Sequence, residues 1–516
     1  MPGVTGDEEQ QLIINEVRVG PGRIGLTKCP GTSIRGSGTA PDRHGVTSDL
    51  QVIRNWGADA ILSLVEEEEL QHLQVPDLGD AIRRAGLTWY HFPVPDFGVP
   101  DLESMKRWVQ ISAQFHQLLD RGERLLIHCR SGLGRSGMIA ALLLIERGES
   151  CERAVEIVRS ARPGAIETSE QENFLRRAAG PEDRASKLAR ASLFGGAIGD
   201  ALGAEIEFWP LDRIRKQFPN GVDEMLAHDG RVGSITDDTQ MTLFTAEGLL
   251  RARTRGITKG ICHPPGVVHY ALMRWFTTQG ETPRRDADKS GLVLDPRLHV
   301  RRAPGNTCLD ALGHCDRFGQ PAKNDSKGCR AIMRVAPVAL FAHYAGDRER
   351  LAAETSALTH GHGTAQAAAS AWVAILSLVL NGSSVRHAAM DVLDRYSGET
   401  ALALRAALSA SEDGTPETVE TLGVGWTAEE ALSIALYSCL VAKSFQDGLK
   451  IAVTHSGDSD STGAIAGNLL GLMFPDEVMS HPWRCEIECA DLVNRLARDL
   501  SVTGPAESGL DFYPGW

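Results

Sequence analysis

The chain lacks an apolar run long enough to span a bilayer. Its longest low-polarity stretch, residues 367–380, is 14 residues long and contains Ser370 and Ser377, short of the roughly 20 residues a membrane helix needs. That stretch is expected to be a buried helix. Positive charge is scarce too: 53 Lys and Arg stand against 67 Asp and Glu, a formal net charge of −14. Such a surface is poorly suited to neutralising a phosphate backbone or an anionic lipid face, so neither a nucleic-acid nor a membrane partner is expected. The ten cysteines form no dense, evenly spaced framework, which fits a reducing compartment. Cys308, His314, Cys315 and Cys329 match no standard zinc spacing. The N-terminal stretch is acidic and has no apolar core, so no secretory signal is visible and a cytoplasmic location is expected. Internal repeats and low-complexity tracts are also missing.

What is there is an ordinary globular composition, 42% hydrophobic and 23% charged over 516 residues, enough for two to four domains. Over residues 12–174, short apolar runs such as 60–65 and 125–128 alternate with helical stretches such as 80–85 and 102–119. This pattern predicts an α/β domain with a mostly parallel central sheet flanked by helices. From about residue 185 the texture turns to Ala- and Leu-rich helical segments with almost no β-branched runs, which predicts an all-α domain. The polar turn cluster at 179–184 sets the expected boundary, giving domains 1–180 and 181–516. Residues 280–304, rich in charge and proline, read as a long loop.

Two constellations carry chemistry. In the first, the apolar run ending at His128 leads into Cys129-Arg130-Ser131-Gly132-Leu133-Gly134-Arg135-Ser136, followed by an apolar helix over 138–145. A loop between a buried strand and a helix points backbone N–H groups and the helix N-terminus inward. The two glycines permit the tight path, and Arg135 adds a planar fork for phosphate oxygens. Residues 130–135 therefore read as a phosphate cradle with the Cys129 thiol at its floor, placed to attack phosphorus in line. Ser136 can donate a hydrogen bond to that sulfur as it leaves. The departing oxygen needs a proton, and Asp96, in a Pro/Gly-rich loop 33 residues before Cys129, is the candidate acid. An isolated Asp in such a loop reads first as a surface turn.

His-Cys-x5-Arg-Ser, the Pro95-Asp96 loop and Arg162-Pro163-Gly164-Ala165-Ile166-Glu167-Thr168 with Gln171 together resemble the cysteine-dependent dual-specificity phosphatases. The likeness is to the kinase-associated branch and covers residues 12–178. The resemblance implies a phosphocysteine intermediate on Cys129, phosphate binding by Arg135, acid/base work by Asp96, a phosphorylated substrate and no metal.

The second constellation consists of two acidic clusters far apart in the chain, Ser234-Ile235-Thr236-Asp237-Asp238-Thr239 and Gly457-Asp458-Ser459-Asp460-Ser461, each just before an apolar segment, 241–250 and 464–472. Singly, each reads as a helix cap. The second opens like a calcium loop, but the position that needs a bidentate Glu holds Leu469, so that reading fails. Together the clusters place four carboxylates and several hydroxyls in one place, a repulsion that hard divalent cations offset. Oxygen-only donors favour magnesium or manganese over zinc, and a binuclear magnesium site able to chelate ribose hydroxyls is expected.

With Gly195-Gly196-Ala197-Ile198-Gly199-Asp200, Met333-Arg334-Val335-Ala336-Pro337 and Thr359-His360-Gly361-His362, these clusters resemble the ADP-ribosylglycohydrolase family over residues 186–516. The resemblance implies an all-α fold and two magnesium ions on Thr236, Asp237, Asp238, Asp458, Asp460 and Ser461. It further implies cleavage at C1″ of an ADP-ribosyl group on a protein or small molecule, with Glu207 aligning to an acidic residue near the metals. ADP-ribose contacts are expected from Gly328, Cys329, Arg330, His360, Gly361 and His362, although both histidines are also readable as loop-bracing residues. Arg330 departs from the family pattern, standing where a small residue is expected near the diphosphate. The glycines of 195–203 read as close helix packing, since no strand precedes them. The combined expectation is a bifunctional hydrolase; the alternative is a phosphatase targeted by a catalytically weak ADP-ribose-binding module.

Overall fold

In the computed structural model the described residues are 12–32, 43–180, 183–285, 287–504 and 512–515. The chain divides into two compact units, Met1–Pro181 and Glu182–Trp516.

The first unit is built on five strands, β1 (Asn15–Val19), β2 (Gly22–Lys28), β3 (Ala60–Ser63), β4 (Thr88–His91) and β5 (Arg124–Cys129), in the order β1-β2-β5-β3-β4. β1 and β2 form an antiparallel hairpin; β2, β5, β3 and β4 run parallel. β5 is the central strand and its Leu125, Leu126 and Ile127 are fully buried. Strands covered on both faces read as continuous apolar runs, which is why 60–65 and 125–128 stood out. In such sheets ligands are received at the carboxyl ends of the strands, and Cys129 is the last residue of β5.

Among its described residues the second unit is helical apart from an isolated bridge between Gly328 and Thr427 and one hairpin of two-residue strands, Ala227–His228 with Arg231–Val232, absent from the sequence-based expectation. Its turn is Asp229-Gly230, both at positive φ, as a tight hairpin turn requires. Helices Arg184–Gly203 and Ser459–Met473 cross with their backbones in contact. A Cβ on Gly199 would lie 2.0 Å from the Gly463 carbonyl oxygen, and one on Gly195 2.2 Å from that of Gly467. Only a seam without side chains allows this approach, and it carries the N-terminus of Ser459–Met473, with its acidic cluster, up to Gly203. The apolar run read as 14 residues and too short for a bilayer lies in a longer helix, Gly363–Leu380, which by length and composition is long and apolar enough to cross one. Ala365, Ala368, Trp372, Val373, Ile375 and Leu376 of this helix are buried in the core of this unit. Within residues 280–304 two short 3-10 turns, Gly291–Leu294 and Pro296–His299, interrupt the expected loop.

Candidate functional sites

At the end of β5 the chain turns sharply under Cys129, which is 2% exposed. The Gly132 N–H donates to Cys129 Sγ at 3.2 Å. Gly132 has φ +74, and a Cβ there would lie 2.3 Å from the Thr27 carbonyl carbon and oxygen on β2. Both the conformation and the close approach demand glycine. Leu133 precedes helix Gly134–Glu146, so the helix N-terminus faces the loop. Ser136 is buried and its hydroxyl has no hydrogen-bond partner. Arg162 Nη2 donates to the Ser131 carbonyl at 2.9 Å and holds the loop from outside. Arg130 is mostly exposed, with Nη1 3.8 Å from Asp96 Oδ2.

Arg135 is 1% exposed and is aimed by three partners. Glu69 takes it in a two-pronged grip, Oε2 accepting from Nη1 at 2.6 Å and Oε1 from Nη2 at 2.8 Å. The Val94 carbonyl accepts from Nη1 at 2.9 Å, and Asp96 Oδ1 lies 2.9 Å from Nη2. Burial pushes the Glu69 carboxyl up, but the hydrogen bonds and charge of Arg135 outweigh it and hold the group below its ordinary value. Asp96 is thus on the guanidinium that would bind phosphate. Its loop is tied down by Thr168 Oγ1 donating to the Phe97 carbonyl (3.3 Å) and Gln171 Nε2 to that of Gly98 (3.4 Å). Behind the cradle Trp89 Nε1 donates to Ser63 Oγ (2.8 Å), which lies 2.6 Å from His128 Nε2. Burial lowers His128 to about 4, so it braces the strand as a neutral ring.

In the second unit the two acidic clusters converge. Thr236 caps helix Asp237–Lys259, accepting from the Asp238 N–H. Asp200 orients that turn: its carboxylate accepts from Thr236 N (3.0 Å), Thr236 Oγ1 (2.8 Å), Thr239 N (3.1 Å) and Thr239 Oγ1 (2.5 Å). Glu207, Asp458 and Asp460 offer carboxylate oxygens all within 4.8 Å of one another, the one such group of potential ligands among the described residues. Glu207 Oε1, Asp237 Oδ1, Asp238 Oδ1, Asp458 Oδ1 and Asp460 Oδ2 are buried without a hydrogen-bond partner. Burial first, and the Asp460 and Asp458 charges next, push Glu207 up to about 10. Burial and Asp458 push Asp460 up to about 8, and burial with its acidic neighbours raises Asp238 well above the carboxylate range. Unpartnered buried carboxylate oxygens are the donor set a hard cation satisfies, so these residues fit a hard divalent ion. Ser461, whose N–H donates to Asp460 Oδ1, is buried beside them.

The other expected contacts fall differently. Cys329 is buried and its thiol donates to Asp458 Oδ2 at 2.7 Å, inside the acidic centre. Arg330 Nε donates to Asp237 Oδ2 at 2.9 Å. His360 is buried with Nδ1 2.9 Å from Thr359 Oγ1; burial, and then Arg334 and Arg330, lower it to about 3. His362 caps helix Gly363–Leu380 through the Thr364 N–H, and the Gly361 N–H donates to Asn324 Oδ1. Gly328 approaches His360 Nε2. His362 and Gly361 thus have loop-bracing partners. Glu69 and Asp200 were not singled out from sequence as site residues; a run of four Glu after β3, and an Asp closing the glycine motif, are the signals that pointed to them.

Comparison with known proteins follows the same division. The family model described as ADP-ribosylglycohydrolase matches residues 180–508, and that described as cyclin-dependent kinase inhibitor 3 matches residues 13–155. The chain belongs to the ADP-ribosylglycohydrolase family and carries an N-terminal cyclin-dependent kinase inhibitor 3 domain. Rat cyclin-dependent kinase inhibitor 3 is 32% identical over 155 residues, 30% of this chain and 69% of the relative. ADP-ribosylarginine hydrolase Tri1 of Serratia proteamaculans is 25% identical over 335 residues, 63% of this chain and 82% of the relative. Among solved structures, a kinase associated phosphatase with its catalytic-site cysteine changed to serine is 28% identical, covering 34% of this chain and 99% of that one at a TM-score of 0.30. The second unit of this ADP-ribosylglycohydrolase family member therefore belongs to a hydrolase family, and the first to the cyclin-dependent kinase inhibitor 3 family.

Proposed function

We propose that the chain is a bifunctional hydrolase, a cysteine-dependent phosphatase in its first unit and a magnesium-dependent ADP-ribosyl hydrolase in its second. The observation that carries the reading is the convergence, in each unit, of sequence-distant polar groups on one reactive centre: Glu69, Asp96 and Cys129 around Arg135, and Glu207, Asp458 and Asp460 around one space.

In the first unit phosphate replaces Asp96 on the Arg135 fork, with loop N–H groups holding its remaining oxygens. Cys129 Sγ attacks phosphorus as the bond to the leaving oxygen breaks, and Asp96 gives that oxygen its proton. Water then attacks the phosphocysteine, Asp96 takes back a proton, and the Ser136 hydroxyl stabilises the departing sulfur. Glu69 holds the fork in plane throughout. Asp96→Asn is expected to slow hydrolysis of an alkyl phosphate by about a hundredfold or more. An activated aryl phosphate, whose leaving group needs little protonation, is expected to suffer much less. Equal losses on both substrates in steady-state assays would remove Asp96 from the acid role.

In the second unit Thr236, Asp237, Asp238, Asp458, Asp460 and Ser461 would hold magnesium. When bound there, the metal supplies polarisation of ribose oxygens and of a water near C1″. Asp200 fixes the first turn of helix Asp237–Lys259, so that Thr236 and Asp238 are held in place before substrate arrives. Glu207 Oε1, buried and unpartnered, is the atom placed to hold or pass on a proton. ADP-ribosylarginine, the substrate named for the Tri1 relative, is the first compound to assay, with released ADP-ribose as the readout.

A further inference from the structure

Arg330 is the one cationic side chain that the described ion pairs put among the carboxylates of the magnesium site. Its Nε donates to Asp237 Oδ2 at 2.9 Å, and Nη2 and Nη1 lie 3.9 Å from Glu207 Oε1 and Asp458 Oδ2. The seat is shaped for it. A Cβ on Gly305 would lie 2.2 Å from Arg330 Cδ, so the side chain fills a space that only glycine leaves. Nη2 also donates to the carbonyl of Ala303, a residue at φ +47. The side chain is 13% exposed, well packed rather than loose. A guanidinium keeps its charge under all conditions in which the protein is folded. It therefore stands as a permanent single positive charge against Asp237, Glu207 and Asp458, three of the five carboxylates of this cluster that have unpartnered oxygens. The described ion pairs do not join Arg330 to the other two, Asp238 and Asp460, although its charge acts on both from farther away.

We propose that Arg330 is a resident cation that takes the place of one of the two divalent ions, so that this chain holds a single magnesium, on the side of Asp238 and Asp460. The inference rests on the magnesium reading above. A carboxylate oxygen engaged by a fixed guanidinium is withdrawn from a metal, and a second dication a few ångströms from that guanidinium meets like-charge repulsion in a buried site. Asp237, Glu207 and Asp458 then serve partly as counter-ions of Arg330.

Manganese, a paramagnetic substitute for magnesium at oxygen sites, tests this on the full chain stripped of metal, by counting bound ions with electron paramagnetic resonance. The wild type is expected to bind one manganese with the spectrum of an isolated ion. Arg330→Gly and the size-conserving Arg330→Gln are each expected to bind two, with an exchange-coupled spectrum and the second ion held about tenfold tighter or more than in the wild type. Arg330→Lys, which keeps the charge, is expected to stay near one. A coupled pair in the wild type, or no second ion in either neutral variant, overturns the role of Arg330 while leaving the metal site standing. Failure of every form to bind manganese at the cluster, judged against Asp238→Asn, overturns the magnesium reading and the inference together.

Discussion

Cys129→Ser is expected to lower phosphate release from an aryl phosphate by about ten-thousand-fold or more, while ADP-ribose release stays at the wild-type rate. Cys129 ends the central strand, is almost wholly enclosed, and receives the Gly132 N–H on its sulfur. The same loop and Arg135 surround the space where a phosphate would lie. An alcohol in place of the thiol fits the cavity and preserves the loop, so the loss reports on the nucleophile rather than on folding. Substrate should still bind, and a phosphopeptide titration of the variant should return an affinity close to that of the wild type. Wild-type phosphate release by Cys129→Ser would remove the phosphocysteine route.

The second large effect concerns the acidic centre. Asp238→Asn or Asp460→Asn is expected to cost about a thousandfold or more in ADP-ribose release, to weaken magnesium binding, and to leave phosphate release intact. Each substitution replaces a buried carboxyl, one of whose oxygens has no protein partner, by an amide that cannot ionise for a metal. An amide nearly matches the carboxyl in shape, and burial already holds both groups above their ordinary values without metal, so neither supplies a charge on which the fold depends. The folded apo protein is therefore expected to be at least as heat-resistant as the wild type. A thermal melt without metal separates the two effects: a stability unchanged or raised, with activity lost, marks a group kept for a ligand rather than for the fold.

Contiguous chemistry was legible in the sequence. The cradle from Cys129 to Ser136 is one strand, one turn and one helix start, so spacing alone specifies its geometry. The strand run 60–65 was read a little long because Leu64 and Val65 stay buried, and the Leu64 N–H still donates to the His128 carbonyl, after β3 has ended. The helical run 102–119 corresponds to Leu102–Asp120, capped by Asp101. What sequence does not display is a partner brought in by folding. Glu69 lies 66 residues from Arg135 in a run of four glutamates that pattern alone reads as a solvated helix start. Asp200 sits at the end of a glycine seam whose packing role masks its hydrogen bonds to Thr236 and Thr239. Arg330 was visible as a departure in a motif, but its place against Asp237 depends on space left by Gly305, 25 residues earlier. The small hairpin at Asp229-Gly230 is not legible by periodicity, which two-residue strands lack, although the turn dipeptide itself is a hairpin signal.

In the proposed function one chain carries two hydrolytic chemistries, one that runs on its own side chains and one that needs a divalent ion. This is tested most directly by following phosphate release from an aryl phosphate and ADP-ribose release from ADP-ribosylarginine, by the intact wild-type chain, before and after EDTA and after adding magnesium back. Abolition of ADP-ribose release with recovery on magnesium, and phosphate release unchanged throughout, is the result this account predicts. ADP-ribose release that survives complete removal of divalent metal, or phosphate release that falls with it, would contradict it.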